Sequence, residues 1–280
     1  MNSLRFITFV SSLFVGSLGI AQQGDKANEK DIISSLNWKK WSPDVVPVFT
    51  AEESLAQFKV APGFKVELVA AEPMVKDPVF VDWDDEGRMW VGELRTYMRD
   101  LDGTGENERM SRVMVLEDTD KDGVMDKATP FVDDMVNVRC IAFVEGGILV
   151  VESGALWLCK DKDGDLRCDE REKLIDFATA AHSNIEHAEN ALHYALDNWM
   201  YNSKSSRKLA WRKGKLIEMP AKARGQWGMA SDAYGRLYFN ANSNWFEVDW
   251  ATYDRQWPSK GSSVKPPTNR VFGIRPNTAL

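Results

Sequence analysis

Residues 118–126 read DTDKDGVMD, and residues 161–169, which begin 43 positions later, read DKDGDLRCD. Both nonamers place aspartate at relative positions 1, 3, 5 and 9, and each follows a short apolar run. Two such loops in the same frame indicate a repeated structural unit rather than one solvated turn. The aspartates are Asp118, Asp120, Asp122 and Asp126 in the first loop, and Asp161, Asp163, Asp165 and Asp169 in the second.

These aspartate loops are candidate calcium sites, because calcium prefers about six to eight oxygen ligands, chiefly carboxylates and carbonyls, from a flexible loop. An EF-hand loop has glycine at position 6 and glutamate at position 12. The first loop has Thr129 at position 12 and the second has Leu166 at position 6, so neither is a complete EF-hand. We expect a hairpin stabilised by structural calcium (Ca2+). The alternative is an aspartate-rich turn held by side-chain-to-backbone hydrogen bonds.

A second phrase also recurs along the chain. Residues 84–91 (DDEGRMWV) and 232–239 (DAYGRLYF) share the pattern D-x-x-G-R followed by an apolar and an aromatic residue. Residues 145–150 and 197–201 are weaker copies. Each phrase is typical of a tight turn that leads into a strand. Short strands that recur as units roughly 40–50 residues apart predict an all-β fold of the β-propeller class rather than a β-sandwich.

Local periodicity supports this reading of the fold. Residues 64–69 (FKVELV) and 79–83 (VFVDW) alternate between apolar and polar positions and are predicted to be half-buried strands. Helical patterns are scarce, and the best helix candidate is residues 184–194, which is not cleanly amphipathic.

The composition limits the classes of protein to which the chain can belong. Its 280 residues are 44% hydrophobic and 11% aromatic, which suits a packed core and argues against disorder. The net charge of −7 and the lack of a long basic run argue against a nucleic-acid partner.

The N-terminal residues are typical of an export signal. Arg5 precedes an apolar stretch at 6–20, and Gly19 and Ala21 are the small residues expected before a cleavage site. We expect cleavage after Ala21 and a periplasmic or secreted mature protein; an uncleaved anchor is the alternative, although the stretch is short for a membrane span. No later segment is apolar enough to cross a bilayer. The expected organisation is a signal peptide at 1–21, an N-terminal linker or extension at 22–54 and a partial β-propeller domain at 55–280.

Cysteine usage is compatible with an oxidising compartment. Cys159 and Cys168 bracket the second aspartate loop, and a disulfide between them would join the two ends of that loop. The alternative is two unpaired thiols, and Cys140 is left over in either case. The sequence holds no CxxCH motif, so haem c has no attachment site in this chain.

The polar stretch at 182–203 holds all three histidines of the chain, His182, His187 and His193. His187 lies among the densest polar residues and is the candidate catalytic base, since histidine titrates near neutral pH. A metal site formed by His182, His187 and Glu186 is an alternative, although the spacing is not HExxH. Hydrogen-bonded structural histidines are a further alternative, and His193, in an apolar phrase, is expected to pack in the core.

Polar residues near apparent strand ends are candidates for lining the central funnel of a propeller, where a substrate would bind. They are Glu186, Asn190, Arg139, Arg224 and Asn242. The 11 tryptophans raise the alternative of stacking on sugar rings, although most tryptophans in propeller strands belong to the core.

Longer phrases resemble a known family. Those phrases are APGFKVELVAAEP (61–73), GRMWVGELRTYM (87–98), SRVMVLEDTDKDGVMDK (111–127), GILVVESGALWLCKDKDGD (147–165), EHAENALHYALDNWMYNSKSS (186–206) and RGQWGMASDAYGRLYFNANSN (224–244). In this order they resemble the N-terminal β-propeller of membrane-bound dehydrogenase and haem-binding (CxxCH) proteins of Planctomycetes and Verrucomicrobia. The resemblance implies a six-bladed fold related to sugar-dehydrogenase propellers, some of which use pyrroloquinoline quinone with calcium.

The resemblance also bears on the site and on the extent of the chain. It implies that His187 and Asn190 of the EHxxN phrase line the funnel. The chain departs from the family because it ends at 271–280 without further blades or a haem motif, so we expect about four blades. We therefore expect a C-terminally truncated fragment with two exposed sheet edges, which would be poorly soluble on its own.

Two functions are compatible with these observations. The resemblance implies an exported propeller domain that oxidises a carbohydrate or alcohol and passes electrons to a c-type haem domain, or another acceptor, outside this chain. The alternative is a non-catalytic exported propeller that binds a glycan or a protein and holds calcium only as a structural ion. Propellers host many functions, so the fold alone does not decide between them.

Overall fold

The computed structural model describes residues 48–100, 102–177, 188–241 and 244–249. Its first element is a short helix, α1 (Ala51–Leu55), in which Thr50 at the N-cap and Glu53 form a capping box. No helix within these ranges has the length and apolarity that a membrane crossing requires. The other regular elements are β-strands, as the sequence predicts.

The strands are short and succeed one another along the chain. They are β1 (Pro78–Trp83), β2 (Met89–Glu93), β3 (Ser111–Glu117), β4 (Lys127–Met135), β5 (Cys140–Val144), β6 (Gly147–Glu152), β7 (Ala155–Lys160), β8 (Glu170–Asp176), β9 (Asn190–Tyr194), β10 (Met200–Ser203), β11 (Arg207–Arg212), β12 (Lys215–Pro220), β13 (Ala230–Ser231), β14 (Leu237–Ala241) and β15 (Asn244–Val248).

These strands form four antiparallel sheets. Their orders are β1-β2-β3-β4, β5-β6-β7-β8, β9-β10-β11-β12 and β13-β14-β15. Each strand pairs with its neighbour along the chain, which is the meander of a propeller blade. The predicted all-β propeller is therefore confirmed, with four blades in the described part of the chain.

Consecutive blades pack face to face, and β6 shows how. Ile148 of β6 belongs to a core cluster with Val113 of the first blade. Its neighbour Leu149 belongs to a second cluster with Met200 of the third blade. Successive residues of a strand point to opposite faces, so an uninterrupted apolar strand serves two interfaces.

A hydrogen-bonded turn joins the first strand of a blade to the second. Asp84 accepts hydrogen bonds from the backbone N–H of Arg88 (2.9 Å), from Arg88 Nε (2.6 Å) and from Trp90 Nε1 (2.8 Å). Gly87, at φ +80°, supplies the left-handed residue of this turn. Burial opposes ionisation of Asp84, but the hydrogen bonds from Trp90 and Arg88 outweigh it and lower the pKa of the carboxyl group.

The same turn recurs in later blades. Asp232 accepts hydrogen bonds from Arg236 Nε at 2.7 Å and from the Tyr238 hydroxyl at 3.0 Å. Asp197 likewise accepts one from the Tyr201 hydroxyl at 2.8 Å. In each case an aromatic side chain of the second strand donates to the turn aspartate. The phrases that recur in the sequence are therefore equivalent turns.

Two local predictions were wrong. Residues 64–69 are not a strand, because this segment joins no sheet; it lies beside the first blade, where Val69 packs against the core. Within the predicted helix at 184–194, residues 190–194 form β9, which pairs with β10. Sheet pairing and burial of Leu192 override a weak helical pattern there. Residues 184–187 lie outside the described part of the chain.

Candidate functional site

Each blade has two ends, because neighbouring strands are antiparallel. One end of a blade holds two connections: the turn between its first and second strands, and the loop between its third and fourth strands. This end carries the Asp84 turn and both aspartate loops. We call the opposite end the polar end. It comprises the connections at 94–110, 136–139, 153–154, 204–206 and 221–229 and the strand ends beside them. The aspartate loops and the described funnel candidates, Arg139, Asn190 and Arg224, therefore lie at opposite ends of the blades.

Buried polar side chains are concentrated at the polar end. They are Glu93, Thr96, Asn137, Arg139, Glu152, Ser153, Asn190, Asn202, Ser203, Ser205, Arg224 and Gln226. Burial of such groups is unfavourable unless they are hydrogen-bonded or paired. The partners of each side chain therefore separate paired groups, which hold the fold, from groups that no described residue satisfies.

Two glutamates, each at the end of the second strand of a blade, fix the backbone segment that leads into the first strand of that blade. Glu93 accepts a hydrogen bond from the backbone N–H of Lys76 at 2.8 Å, and Glu152 accepts one from the backbone N–H of Val136 at 2.7 Å. Both N–H groups precede the first strand of the same blade, so the two contacts are equivalent. Glu93 also forms an ion pair with Arg95 at 2.7 Å. These carboxylates are structural.

Asn190, a predicted funnel residue, positions the segment before the fourth blade. Its Nδ2 donates to the carbonyl oxygen of Gln226 at 2.8 Å, and its Oδ1 accepts from the N–H of Gly228 at 2.9 Å. The Ser203 hydroxyl donates to the Gly228 carbonyl oxygen at 2.9 Å. Together these bonds fix the backbone on both sides of Trp227.

Arg139 is the most unusual group at the polar end. Its side chain is buried, at 2% exposure, yet its closest hydrogen bond is a long one of 3.4 Å from Nη2 to the Ser153 hydroxyl. Nε and Nη1 have no hydrogen-bond partner among the described residues. The guanidinium lies 5.4 Å from the ring of Trp227. Burial lowers the pKa of Arg139 to about 10, although Cys140 and Tyr97 oppose this effect.

Arg224, another predicted funnel residue, contrasts with Arg139. Its Nε donates to Asp249 Oδ2 at 2.7 Å, and the two side chains are 4% and 6% exposed. Its Nη1 donates to the carbonyl oxygen of Lys222 at 2.9 Å. Arg224 is thus a paired structural cation, whereas Arg139 is a buried cation with donors that no described residue satisfies.

Glu189 precedes Asn190 and carries a perturbed carboxyl group. It lies 3.3 Å from Arg207 Nε, with the Glu189 side chain 16% exposed. Burial raises the pKa of Glu189, and the charge of Arg207 opposes the shift. A carboxyl group with a raised pKa is closer to the range in which proton transfer is efficient at neutral pH.

Several predicted site residues lie outside the described part of the chain: His187, Glu186, Asn242 and His182. The histidine that is described, His193, lies on β9 and is partly buried. Its Nε2 has no hydrogen-bond partner among the described residues, and burial lowers its pKa, with Asp82 opposing the shift. The packing role expected for His193 stays a prediction.

The first aspartate loop connects β3 to β4 and is closed by its own carboxylates. Asp118 Oδ2 accepts a hydrogen bond from the N–H of Gly123 at 2.9 Å, and Asp126 Oδ2 accepts one from the N–H of Thr119 at 3.0 Å. Carboxylate oxygens of Asp118, Asp120 and Asp126 lie within 4.8 Å of one another.

The second loop, between β7 and β8, repeats this geometry. Asp161 Oδ2 accepts from the N–H of Leu166 at 2.9 Å, and Asp169 Oδ2 accepts from the N–H of Lys162 at 2.7 Å. Asp163 completes an equivalent group with Asp161 and Asp169. Each group can offer oxygen ligands to a metal ion. The hydrogen bonds within the loops also form the aspartate-rich turn that was the alternative prediction.

The third aspartate of each loop, at position 5, has a different role. Asp122 accepts a hydrogen bond from the N–H of Val124 at 2.8 Å, and Asp165 accepts one from the N–H of Arg167 at 2.9 Å. The structure does not bring these two carboxylates into the metal-compatible groups, although all eight aspartates were predicted ligands. The alternating spacing of the aspartates predicts the two loops, but it does not predict which carboxylates come together in each loop.

The two loops place left-handed residues at the same positions. Position 4 is Lys121 in the first loop and Gly164 in the second, at φ +63° and +83°. Position 6 is Gly123 in the first and Leu166 in the second, at φ +94° and +65°. Each loop therefore has one glycine where the other tolerates a side chain, and the backbone is the same in both.

The three cysteines are free thiols in the structure. Cys159 is fully buried, and Cys168 packs against the core cluster that contains it, while the Cys168 thiol donates to the Glu170 carbonyl oxygen at 3.2 Å. The predicted disulfide is not formed in the structure, but the two groups that would form it are in contact. The disulfide stays a prediction.

Sequence reasoning missed several residues of the polar end. Glu93 lies six positions after Gly87, the turn glycine of its blade, and Glu152 lies six positions after Gly146. An alignment of the recurring phrases would therefore have identified both glutamates. Trp227 has no comparable signal. Its contact with Arg139 depends on the packing of separate blades.

The chain is similar to several solved structures. The pyrroloquinoline quinone (PQQ) domain of pyranose dehydrogenase from Coprinopsis cinerea, in its holo form, is 12% identical, with 64% of this chain and 46% of that chain covered and a TM-score of 0.41. A gluconolactonase from Xanthomonas campestris is 14% identical, with 62% and 57% covered and a TM-score of 0.41. A streptogramin B lyase is 13% identical, with 65% and 54% covered and a TM-score of 0.39.

The chain spans about half the length of these solved structures. Comparison with curated protein sequences gave no significant match. A family described as a domain of unknown function, DUF7133, matches residues 50–276, which include all of the described blades. The chain belongs to the DUF7133 family.

Proposed function

We propose that this chain is the propeller domain of an exported oxidoreductase that oxidises a carbohydrate or an alcohol. Electrons would pass to a c-type haem domain, or another acceptor, outside the chain. The observation that carries the proposal is Arg139, a buried guanidinium whose Nε and Nη1 lack partners within the described residues. The family resemblance of the quoted sequence phrases supports the redox part of the proposal.

Arg139 is suited to an oxygen-rich ligand. A buried cation without an anionic partner is unfavourable, and carboxylate or carbonyl oxygens of a ligand would satisfy its donors. Trp227, 5.4 Å from the guanidinium, offers a flat apolar surface at the same place. Sugars and planar quinones both combine polar edges with a face that stacks on an aromatic ring.

Pyrroloquinoline quinone is the cofactor that the resemblance implies, and the residues present fit it. The free donors of Arg139 match its carboxylate or quinone oxygens, and Trp227 matches its plane. When bound, such a quinone supplies an acceptor for the hydride of an alcohol. The residues that would hold it are therefore Arg139 and Trp227, with Asn190 positioning the Trp227 segment.

The chain's own residues would divide the remaining work. His187 is the proposed base that takes the proton of the substrate hydroxyl, because it follows Glu186 and lies three residues before Asn190 in the EHxxN phrase. Glu189, whose pKa is raised by burial, is the described acidic group best suited to receive that proton next. Arg139 would orient the ligand without exchanging a proton.

Export and calcium are parts of the same proposal. Residues 1–21 would direct export to the periplasm or the medium, with cleavage after Ala21. Calcium would bind the groups formed by Asp118, Asp120 and Asp126 and by their counterparts in the second loop. Because these loops lie at the end opposite Arg139, chelation should lower stability and leave ligand affinity nearly unchanged.

A dye-linked dehydrogenase assay tests the proposal. The full chain is incubated with a panel of sugars and alcohols, with and without pyrroloquinoline quinone and calcium. We expect quinone-dependent turnover that is lost in Arg139→Met and His187→Ala and retained in Lys215→Met, a control at an exposed lysine on β12. Saturable binding of a sugar without turnover would instead identify the non-catalytic binding propeller. Turnover unchanged by both substitutions would contradict the proposed site.

A further inference from the structure

A cleft between the first and second blades exposes one thiol of a buried pair. The cleft has a volume of about 460 Å³, and Cys168 lines it together with Phe131, Asp134, Arg167 and Arg171. The backbone N–H of Cys168 donates to the carbonyl oxygen of Phe131 at 2.7 Å, which anchors the second aspartate loop to the first blade. Cys168 is thus held at an interblade contact and is open to small molecules.

Cys159 lies behind Cys168 and is closed to solvent. It is fully buried in the core cluster shared by the two blades, and Cys168 packs against that same cluster. On β7 it lies opposite Arg171 of β8. A thiol that reacts in the cleft therefore has a second thiol in contact with it, on the protein side.

The first blade shows that a thiol pair is not needed to build this loop. The residues at the positions of Cys159 and Cys168 in the first loop are Leu116 and Met125. They belong to one hydrophobic cluster, so an apolar contact closes the first loop. The second loop has the same backbone hydrogen bonds but carries two thiols in place of that contact.

We propose that Cys168 and Cys159 form a redox-active dithiol that is oxidised by a small peptide disulfide entering the cleft. Cys168 attacks one sulfur of the small disulfide, which forms a mixed disulfide and releases the first small thiol. Cys159 then attacks the Cys168 sulfur, forms the Cys159–Cys168 disulfide and releases the second small thiol. The two electrons and two protons of the protein dithiol end on the two small thiols.

The charges around the cleft indicate the class of disulfide. Arg167 and Arg171 line it. The carboxylate nearest to Arg167 is that of Asp165, and the one nearest to Arg171 is that of Asp134. Both distances are 4.0 Å, which is the longest distance that counts as an ion pair. Such weakly paired guanidinium groups suit the carboxylates of a small peptide disulfide, such as glutathione disulfide. The carboxylates of Asp133, Asp134 and Asp169 also line the cleft, and the ammonium groups of a peptide disulfide suit them as its carboxylates suit the arginines.

Thiol labelling of the folded full chain tests this inference. In the reduced protein, alkylation should modify Cys168 at least about tenfold faster than Cys159 or Cys140, because only Cys168 opens into the cleft. Cys140 is an internal control, since burial raises its pKa to about 12. After incubation with glutathione disulfide, mass spectrometry should show the Cys159–Cys168 disulfide, and reduction should restore both thiols.

Two variants separate the steps. Cys159→Leu should trap the mixed disulfide at Cys168, and Cys159→Leu/Cys168→Met, which copies the apolar pair of the first loop, should fold and be insensitive to the disulfide. Failure of Cys168 to react in the folded wild-type chain would overturn the inference. A stable mixed disulfide on wild-type Cys168, with Cys159 left as a thiol, would also overturn it.

Discussion

Replacement of Arg139 by methionine should stabilise the ligand-free protein while abolishing ligand binding. Arg139 is 2% exposed, and its Nε and Nη1 have no partner among the described residues. Burial lowers its pKa from 12.5 to about 10. At ~1.4 kcal/mol per pKa unit, burial of the charge opposes folding by ~3 kcal/mol. Methionine removes this penalty and keeps most of the apolar volume.

Part of this gain is lost with the contacts that the guanidinium makes. Its position 5.4 Å from the Trp227 ring contributes ~1 kcal/mol, and the 3.4 Å hydrogen bond to Ser153 is long and contributes less. The expected net effect of Arg139→Met is therefore an increase of ~2 kcal/mol in the free energy of unfolding.

Arg224→Met is the matched control for this experiment. Arg224 is buried at the same end of the blades but is paired with Asp249 at 2.7 Å, so its removal leaves a buried carboxylate without its cation. We expect a loss of ~3–5 kcal/mol. Urea denaturation without ligand, followed by tryptophan fluorescence, measures both variants. A loss of stability in Arg139→Met comparable to that in Arg224→Met would refute the view that the Arg139 donors face a ligand.

Three further predictions test the fold and its pH response. Tyr201→Phe should destabilise the protein by ~2 kcal/mol in urea denaturation, because the buried hydroxyl loses its bond to Asp197; an unchanged midpoint would show that this turn contact is dispensable. Gly123 has φ +94°, and nothing lies near a Cβ added to it, so Gly123→Ala should lower the free energy of unfolding by ~1–2 kcal/mol through backbone strain alone. An unchanged free energy of unfolding in urea would argue against the loop conformation described above. His193 has a pKa below its ordinary 6.5, so the unfolded chain binds more protons just below pH 6.5 and stability falls as the pH drops through that value. His193→Gln should reduce the difference in stability between pH 7.5 and pH 5.5, and an unchanged difference would contradict the buried histidine.

The repeats in the sequence were sufficient to predict the fold, because they mark local chemistry. A D-x-x-G-R turn closes through the hydrogen bonds of its own aspartate, as at Asp84 and Asp232, so its sequence and its geometry coincide. Residues 79–83 were predicted as a strand and lie in β1. By contrast, residues 64–69 alternate like a strand but find no partner strand, because pairing depends on tertiary neighbours that a local pattern does not encode.

The candidate site was less predictable for a related reason. Arg139, Asn190 and Arg224 were all identified as polar residues near strand ends, but their roles differ because their partners come from distant segments. Asp249, which pairs with Arg224, and Trp227, which lies against Arg139, become neighbours only when the blades pack. Residue type and spacing therefore indicate where polar groups collect, and the contacts decide which of them have free donors.

The most direct test of the central claim is an equilibrium titration of the full chain with pyrroloquinoline quinone in the presence of calcium, followed by quenching of tryptophan fluorescence. Because Arg139 is expected to bind the oxygen atoms of the ligand, the wild-type chain should show saturable binding, and Arg139→Met should bind at least about tenfold more weakly. Lys215→Met should bind like the wild-type chain. Equal affinities of the wild-type chain and Arg139→Met, or no saturable binding at all, would contradict the proposed ligand site at the polar end.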